Sequence, residues 1–256
     1  NALDFLGFTI AQFCIEQSYL AESEKVNSDY KAVFARLKSR AASLTDIKGS
    51  ILTIMKMMQA YYEKPVVLLL DEYDVPVAKA SSNGYYAEML EVIRAILSTA
   101  LKDNTALKFA VVTGCLKIAK ESIFTGTNNL VSDTITDTRL NEYFGFIQKD
   151  VEQILRDAGS IDHLERVKRW YDGYILSGLQ IYNPRAVVGV MRKGEFKSYW
   201  SETASYEAIV PLINRNYDGL KNAIIEMLSG AAVKVNTATF KNDMLAIKNR
   251  DDVLTY

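Results

Sequence analysis

Two adjacent acids, Asp71 and Glu72, directly follow the apolar run VVLLL at 66–70. A hard divalent cation prefers anionic oxygen ligands, and a water molecule that attacks a phosphate needs a proton acceptor. Asp71 is therefore a candidate ligand for Mg²⁺, and Glu72 is a candidate general base. A second apolar run, FAVVTG at 109–114, supplies the hydroxyl group of Thr113, which is a candidate for orienting that water.

The two apolar runs are predicted to be strands, at 66–70 and at 107–114, that flank a helix. A turn at Asn83-Gly84 precedes this helix, and apolar residues recur at helical spacing over 85–102. A strand, a helix and a second strand form a βαβ unit, in which the strands are parallel. Because VVLLL is apolar at every position, we predict that its strand is buried on both faces. Ligands bind beyond the carboxyl ends of such strands, and the candidate residues stand there.

Further elements are predicted on both sides of this unit. Upstream, the apolar spacing predicts a helix at 27–40, capped by Asn27 or Ser28, and a second helix at 46–63. Downstream, 121–146 is rich in Thr, Asn and Asp, which indicates an ordered loop region with one short strand near its middle, at 131–136. Later helices are predicted at 148–158, 161–171, 184–193, 205–215 and 217–229.

The composition disfavours several classes of protein. The 256 residues carry a net charge of -1, which disfavours a broad basic surface for nucleic acid. Two cysteines and a single histidine disfavour a structural zinc site. No apolar run approaches the roughly 18 residues that a membrane-spanning helix needs, so no membrane partner is expected. A cytoplasmic location is the default expectation, and Asn1 is expected to be a boundary within a longer chain.

An apolar run that ends in Asp-Glu has the form of the Walker B motif of P-loop ATPases, in which the Asp holds Mg²⁺ and the Glu polarises water. Alternatively, the two acids cap the following helix or face solvent, and the pattern by itself does not decide between these interpretations. Thr113 favours the functional interpretation, because two adjacent strands then both end in suitable polar groups. Asp74, by contrast, is expected to be a solvated loop acid. Lys117 is either a contact for nucleotide phosphates or an ordinary surface lysine.

Segments of the chain resemble, in the same order, blocks of the AAA-ATPase-like family of uncharacterised, mostly bacterial proteins. The earlier segments are VVLLLDEYDVPVAKA, GYYAEMLEVIRAILSTALKDN and LKFAVVTGCLKIAKESIFTGTNNL. The later segments are NEYFGF, WYDGY, IYNP, YWSET and NDMLAIKNRDDVLTY.

This resemblance implies an α/β fold with a P-loop NTPase-type parallel sheet core over 1–147 and a mainly helical, lid-like part over 148–256. It implies that Asp71 is the Mg²⁺ ligand, Glu72 the catalytic base and Thr113 the sensor of bound nucleotide. ATP and Mg²⁺ are the implied ligands. Many members carry a further domain that resembles PD-(D/E)XK nucleases, so nucleic acid is expected as a partner only through a domain that these residues do not contain.

One departure from the family pattern concerns the phosphate loop. Nothing in the sequence matches G-x-x-x-x-G-K-[ST], and Gly49-Ser50 follows Lys48 instead of preceding a lysine. Without that loop, the backbone N–H cradle, the phosphate lysine and the Mg²⁺-binding hydroxyl are missing. We therefore expect the chain to be an internal fragment that hydrolyses ATP poorly or not at all.

The residues also allow two alternatives to an ATPase. The first is a regulatory or protein-binding module that keeps the fold and the acids without turnover, acting through a protein partner or an oligomer. The second, a nuclease site built from Asp71, Glu72 and Lys79, is disfavoured. Its two acids are adjacent at one strand end, whereas that chemistry needs an acid on one strand and an E-x-K pair on the next.

Overall fold

The structure is a computed structural model that describes residues 2–114, 131–134, 137–199, 210–237 and 247–255. The chain forms two compact units. The first unit comprises Asn1–Leu130 and Asn216–Tyr256, and the second comprises Val131–Arg215. The predicted domain boundary after residue 147 stays a prediction about functional domains, and the compact units divide the chain at other positions, after Leu130 and after Arg215.

The first unit begins with a group of helices that pack around Phe34, Leu37 and Met57. The Asn27 side chain accepts a hydrogen bond from the Asp29 N–H at 2.7 Å, so Asn27 is the cap expected for the helix predicted at 27–40. The helices are α1 (Ala2–Glu16), α2 (Tyr19–Glu22), α3 (Ser28–Lys38), α4 (Leu44–Lys48) and α5 (Ser50–Tyr62).

The single helix predicted at 46–63 is two helices, α4 and α5, that meet at Gly49. Ser43 begins α4 through a capping box in which the Ser43 side chain and the Asp46 side chain each accept the other residue's backbone N–H. The Arg36 guanidinium donates to the Asp46 carboxylate and holds its pKa well below the ordinary range. Glycine has low helix propensity, so the interruption falls there.

The parallel strand pair predicted from the sequence is confirmed. Strand β1 (Val66–Leu70) pairs in parallel with β2 (Leu107–Val112), and the chain between them forms α6 (Val75–Ser82) and α7 (Tyr86–Leu101). The inward side chains of β1 pack against Met55 of α5 and against α7, which places these two helices on one face of the sheet.

The other face of this sheet carries a strip of exposed apolar side chains. The register places Val67 beside Phe109 and Leu69 beside Val111, and these side chains are 41–70% exposed in the part of the chain that the structure describes. The prediction that β1 is buried on both faces is therefore wrong. An all-apolar strand is typical of a sheet covered on both sides, but the described helices cover only one side here.

The second unit combines helices with a small antiparallel sheet of order β3-β5-β4. The helix predicted at 184–193 is found with these bounds, and the helices predicted at 148–158 and 161–171 are found with shifted ends. The sheet was not predicted. The elements of the second unit are β3 (Phe146–Ile147), α8 (Gln148–Asp157), α9 (Leu164–Tyr171), β4 (Asp172–Leu176), β5 (Leu179–Tyr182), α10 (Pro184–Lys193) and α11 (Val210–Arg215). Short 3₁₀ helices occupy Asn141–Tyr143 and Ile161–His163.

The remaining elements lie in the first unit. A 3₁₀ turn (Tyr217–Gly219) leads into α12 (Leu220–Leu228), where one helix was predicted at 217–229, and α13 spans Arg250–Thr255. Of the strand predicted at 131–136, residues 131–134 form no strand and 135–136 lie outside the described residues. Of the helix predicted at 205–215, residues 205–209 also lie outside the described residues. Within the described ranges, no helix combines the length and the apolar character needed to cross a bilayer.

Candidate functional site

The ends of β1 and β2 bring Asp71 and Thr113 into direct contact. The last register pair of the sheet is Leu70 with Val112. The residues that follow this pair, Asp71 and Thr113, therefore lie side by side. The Thr113 N–H donates to the Leu70 carbonyl oxygen at 2.8 Å, and the Thr113 hydroxyl donates to Oδ1 of Asp71. Two polar groups that are 42 positions apart in sequence therefore form one small cluster at the carboxyl end of the sheet.

Glu72 occupies a left-handed backbone conformation next to this cluster. Its φ is +53°, and its backbone N–H donates to Oδ1 of Asp71 at 3.0 Å. The Tyr73 N–H then donates to the Thr113 carbonyl oxygen at 3.1 Å. Hydrogen bonding between the segments that follow β1 and β2 therefore resumes beyond Glu72. The Glu72 side chain is exposed. Glu63, at the end of α5, has a similar φ of +54°, so this conformation by itself assigns no role.

The chemistry of Asp71 fits a Mg²⁺ ion that keeps several of its own water ligands. Oδ1 accepts two hydrogen bonds, from Thr113 and from the Glu72 N–H, whereas Oδ2 accepts none from any described residue. Mg²⁺ is usually held by one or two carboxylates together with water and phosphate oxygens. Across the described ranges, no three His, Cys, Asp or Glu side chains form a metal cluster, so this part of the chain shows no cage built from protein ligands alone.

Asp74 is buried, although its sequence context predicts a solvated loop acid. Only 3% of its surface is exposed, and its carbonyl oxygen accepts from the N–H groups of Val77 and Ala78 at the start of α6. The expectation of a solvated loop acid is wrong, because Asp74 is the cap residue of α6 and its side chain is buried there. Pro76 in the first turn of α6 was the available signal, since proline is favoured at helix starts.

The remaining candidate, Lys117, lies outside the described residues. Two open cavities, of about 520 and 590 Å³, lie in the second unit and are lined by residues such as Asp150 and Glu152. Neither cavity includes a residue from the ends of β1 or β2.

The span that contains β1, α6, α7 and β2 is similar to a known family. Residues 8–124 match the AAA-ATPase-like family. The description of that family is "Predicted AAA-ATPase". The resemblance read from the earlier sequence segments is confirmed over this span, and the resemblance of the segments beyond it stays a prediction.

A curated relative is similar to part of the chain. The relative is the "Uncharacterized protein in vnfD 5'region" of Azotobacter chroococcum mcd 1, which is 32% identical over 151 residues. That alignment covers 58% of this chain and 29% of the relative, so the chain spans less than a third of the relative's length. No solved structure shows significant similarity to the chain.

Proposed function

We propose that the ends of β1 and β2 form part of the nucleotide site of an ATPase, which binds and hydrolyses ATP with Mg²⁺ in the natural full-length protein. The observation that carries this proposal is the hydrogen bond between Thr113 and Asp71 at the ends of two parallel strands. These strands lie within the span that matches the AAA-ATPase-like family. The P-loop NTPase type of the core and the lid-like role of residues 148–256 belong to the same proposal.

Each residue of the cluster has a distinct role in this proposal. Asp71 holds Mg²⁺, which neutralises phosphate charge when it is bound. Glu72, with its exposed carboxylate beside Asp71, accepts a proton from the attacking water. Thr113 keeps Asp71 oriented and senses the bound nucleotide. Lys117, which follows β2 in sequence, contacts the phosphates.

Two measurements on the natural full-length protein test the proposal. Calorimetry measures Mg²⁺-ATP binding, and a single-turnover assay measures hydrolysis. We expect Asp71→Ala to weaken Mg²⁺-ATP binding, because it removes the cation ligand. We expect Glu72→Gln to retain binding and to lower the hydrolysis rate about 10²- to 10⁴-fold, the usual contribution of a general base. Glu88→Gln is the matched control, because Glu88 is an exposed acid in the first turn of α7.

Two results of these measurements would contradict the assignments. Unchanged Mg²⁺-ATP binding by Asp71→Ala would show that Asp71 is not the Mg²⁺ ligand. Unchanged hydrolysis by Glu72→Gln would show that Glu72 is not the general base. Equal losses in Glu88→Gln would show that the effects are not specific to the ends of the strands.

A second candidate function is a protein-binding module that does not hydrolyse ATP. The observation that favours it is the exposed apolar strip formed by Val67, Leu69, Phe109 and Val111. An apolar strip of this kind is typical of a surface that another element covers. Absence of Mg²⁺-ATP binding by the natural full-length protein would favour this candidate over the ATPase.

A further inference from the structure

Gly114 packs so closely against the segment after β1 that no side chain fits at this position. A Cβ atom there would lie 2.8 Å from two carbon atoms of the Tyr73 ring, and closer still to Oδ1 of Asp74. The φ of Gly114 is outside the left-handed region, so the requirement for glycine comes from space and not from backbone conformation. Glycine is the residue that permits such a close approach.

The segment after β1 also makes a hydrogen bond to Thr113, the residue before Gly114. The Tyr73 N–H donates to the Thr113 carbonyl oxygen at 3.1 Å, while the Asp74 carboxylate lies against Gly114. Asp74 itself is held at the start of α6, where its carbonyl oxygen accepts from Val77 at 3.0 Å and from Ala78 at 2.9 Å. The backbone around Thr113 is thus fixed by this hydrogen bond, by the hydrogen bond from the Thr113 N–H to the Leu70 carbonyl oxygen, and by packing against a buried carboxylate.

We infer that Asp74 and Gly114 are positioning residues that hold Thr113 against Asp71. Thr113 reaches Oδ1 of Asp71 only while the ends of the two strands stay at their present separation. The close packing of Gly114 on Asp74 and Tyr73 keeps that separation together with the backbone hydrogen bonds, and Asp74 is itself held at the start of α6. The catalytic consequence of this inference rests on the proposed function, whereas the positioning itself rests on the contacts alone.

Amide hydrogen exchange in the natural full-length protein tests the positioning without any nucleotide. Gly114→Ala forces Tyr73 and Asp74 away, so we expect the amides of Tyr73 and Thr113 to lose protection about tenfold or more. The Val66 amide, which donates to the Ala106 carbonyl oxygen at the far end of the same strand pair, reports on global stability and keeps its protection.

Two further variants complete this test. Asp74→Ala removes the carboxylate that touches Gly114 and is expected to show the same local pattern, which covers the case in which Gly114→Ala does not fold. Gly7→Ala is the matched control, because an alanine there would meet only Ile47 Cδ1, at 3.9 Å. Unchanged protection at Tyr73 and Thr113, or equal losses at Val66, would overturn the inference.

Mg²⁺-ATP turnover by the same variants tests the catalytic consequence. A misplaced site is expected to lower kcat about 10- to 100-fold with a smaller change in the KM for ATP. Wild-type kcat in a Gly114→Ala protein whose Tyr73 amide has lost protection would overturn the catalytic role of the positioning. If the unmodified protein neither binds nor hydrolyses ATP while the exchange pattern is as expected, the proposed function fails and the positioning stands.

Discussion

Glu72 combines an unfavourable backbone conformation with an exposed carboxylate. A left-handed conformation costs a residue with a Cβ atom roughly 1–2 kcal/mol, and glycine is the residue that adopts it readily. Strain of this kind is retained where the surrounding structure enforces it, and it is frequent in active sites. At Glu72, the hydrogen bonds of the Glu72 N–H to Asp71 and of the Tyr73 N–H to Thr113 enforce it.

In the natural full-length protein, we expect Glu72→Gly to increase stability while it lowers the hydrolysis rate about 10²- to 10⁴-fold, as Glu72→Gln does. The substitution relieves the strain, so the free energy of unfolding is expected to rise by about 0.5–1 kcal/mol in urea denaturation. Loss of the carboxylate removes the proposed base. Glu63→Gly is the control, because Glu63 has nearly the same φ and should give a similar gain in stability with unchanged hydrolysis.

A loss of stability in Glu72→Gly, with a gain in Glu63→Gly, would show that the Glu72 side chain makes a stabilising contribution greater than the strain. Such a result would favour a structural role for Glu72. Full hydrolysis by Glu72→Gly would remove its assignment as the base.

At the scale of elements, β1 and β2 form a sheet that is covered on one face. Val66 and Leu68 of β1 pack with Met55 of α5 and Ala100 of α7, whereas the neighbouring residues Val67 and Leu69 point to the exposed strip. Alternate residues of a strand face opposite sides of a sheet, so the two sets differ in burial although both are apolar.

This difference predicts unequal effects of the same substitution at adjacent positions. In the 256-residue polypeptide, Leu68→Ala is expected to lower the free energy of unfolding by about 2 kcal/mol or more, because it removes packing against α5 and α7. Leu69→Ala, at a side chain that is 70% exposed, is expected to change it by less than about 0.5 kcal/mol. Chemical denaturation measures both, and equal losses would mean that the strip is covered in solution.

At the scale of the whole molecule, the candidate site has acids and a hydroxyl group but no recognisable phosphate loop in the 256 residues. Without a backbone cradle and a lysine, affinity for the phosphates of ATP is expected to be low. We therefore expect no measurable ATP turnover by the 256-residue polypeptide in a phosphate-release assay. Robust turnover that Glu72→Gln abolishes would contradict this expectation and would require phosphate contacts from other residues.

The sequence by itself predicted the βαβ unit and placed Asp71 and Thr113 at the ends of its two strands, but it did not predict their hydrogen bond. Apolar runs and helical spacing are local patterns, and the βαβ order forces the carboxyl ends of parallel strands to the same edge of a sheet. The break at Gly49 and the cap at Ser43 were missed because the apolar spacing continues through both helices.

Only the tertiary structure decided which side chains are buried around the site. Asp74 looks like a loop acid in sequence, but the start of α6 turns it inward against Gly114. The alternation between covered and exposed residues in VVLLL is equally invisible in sequence, because all five residues are apolar. Burial depends on which distant segments pack on each face, and neither spacing nor composition encodes that.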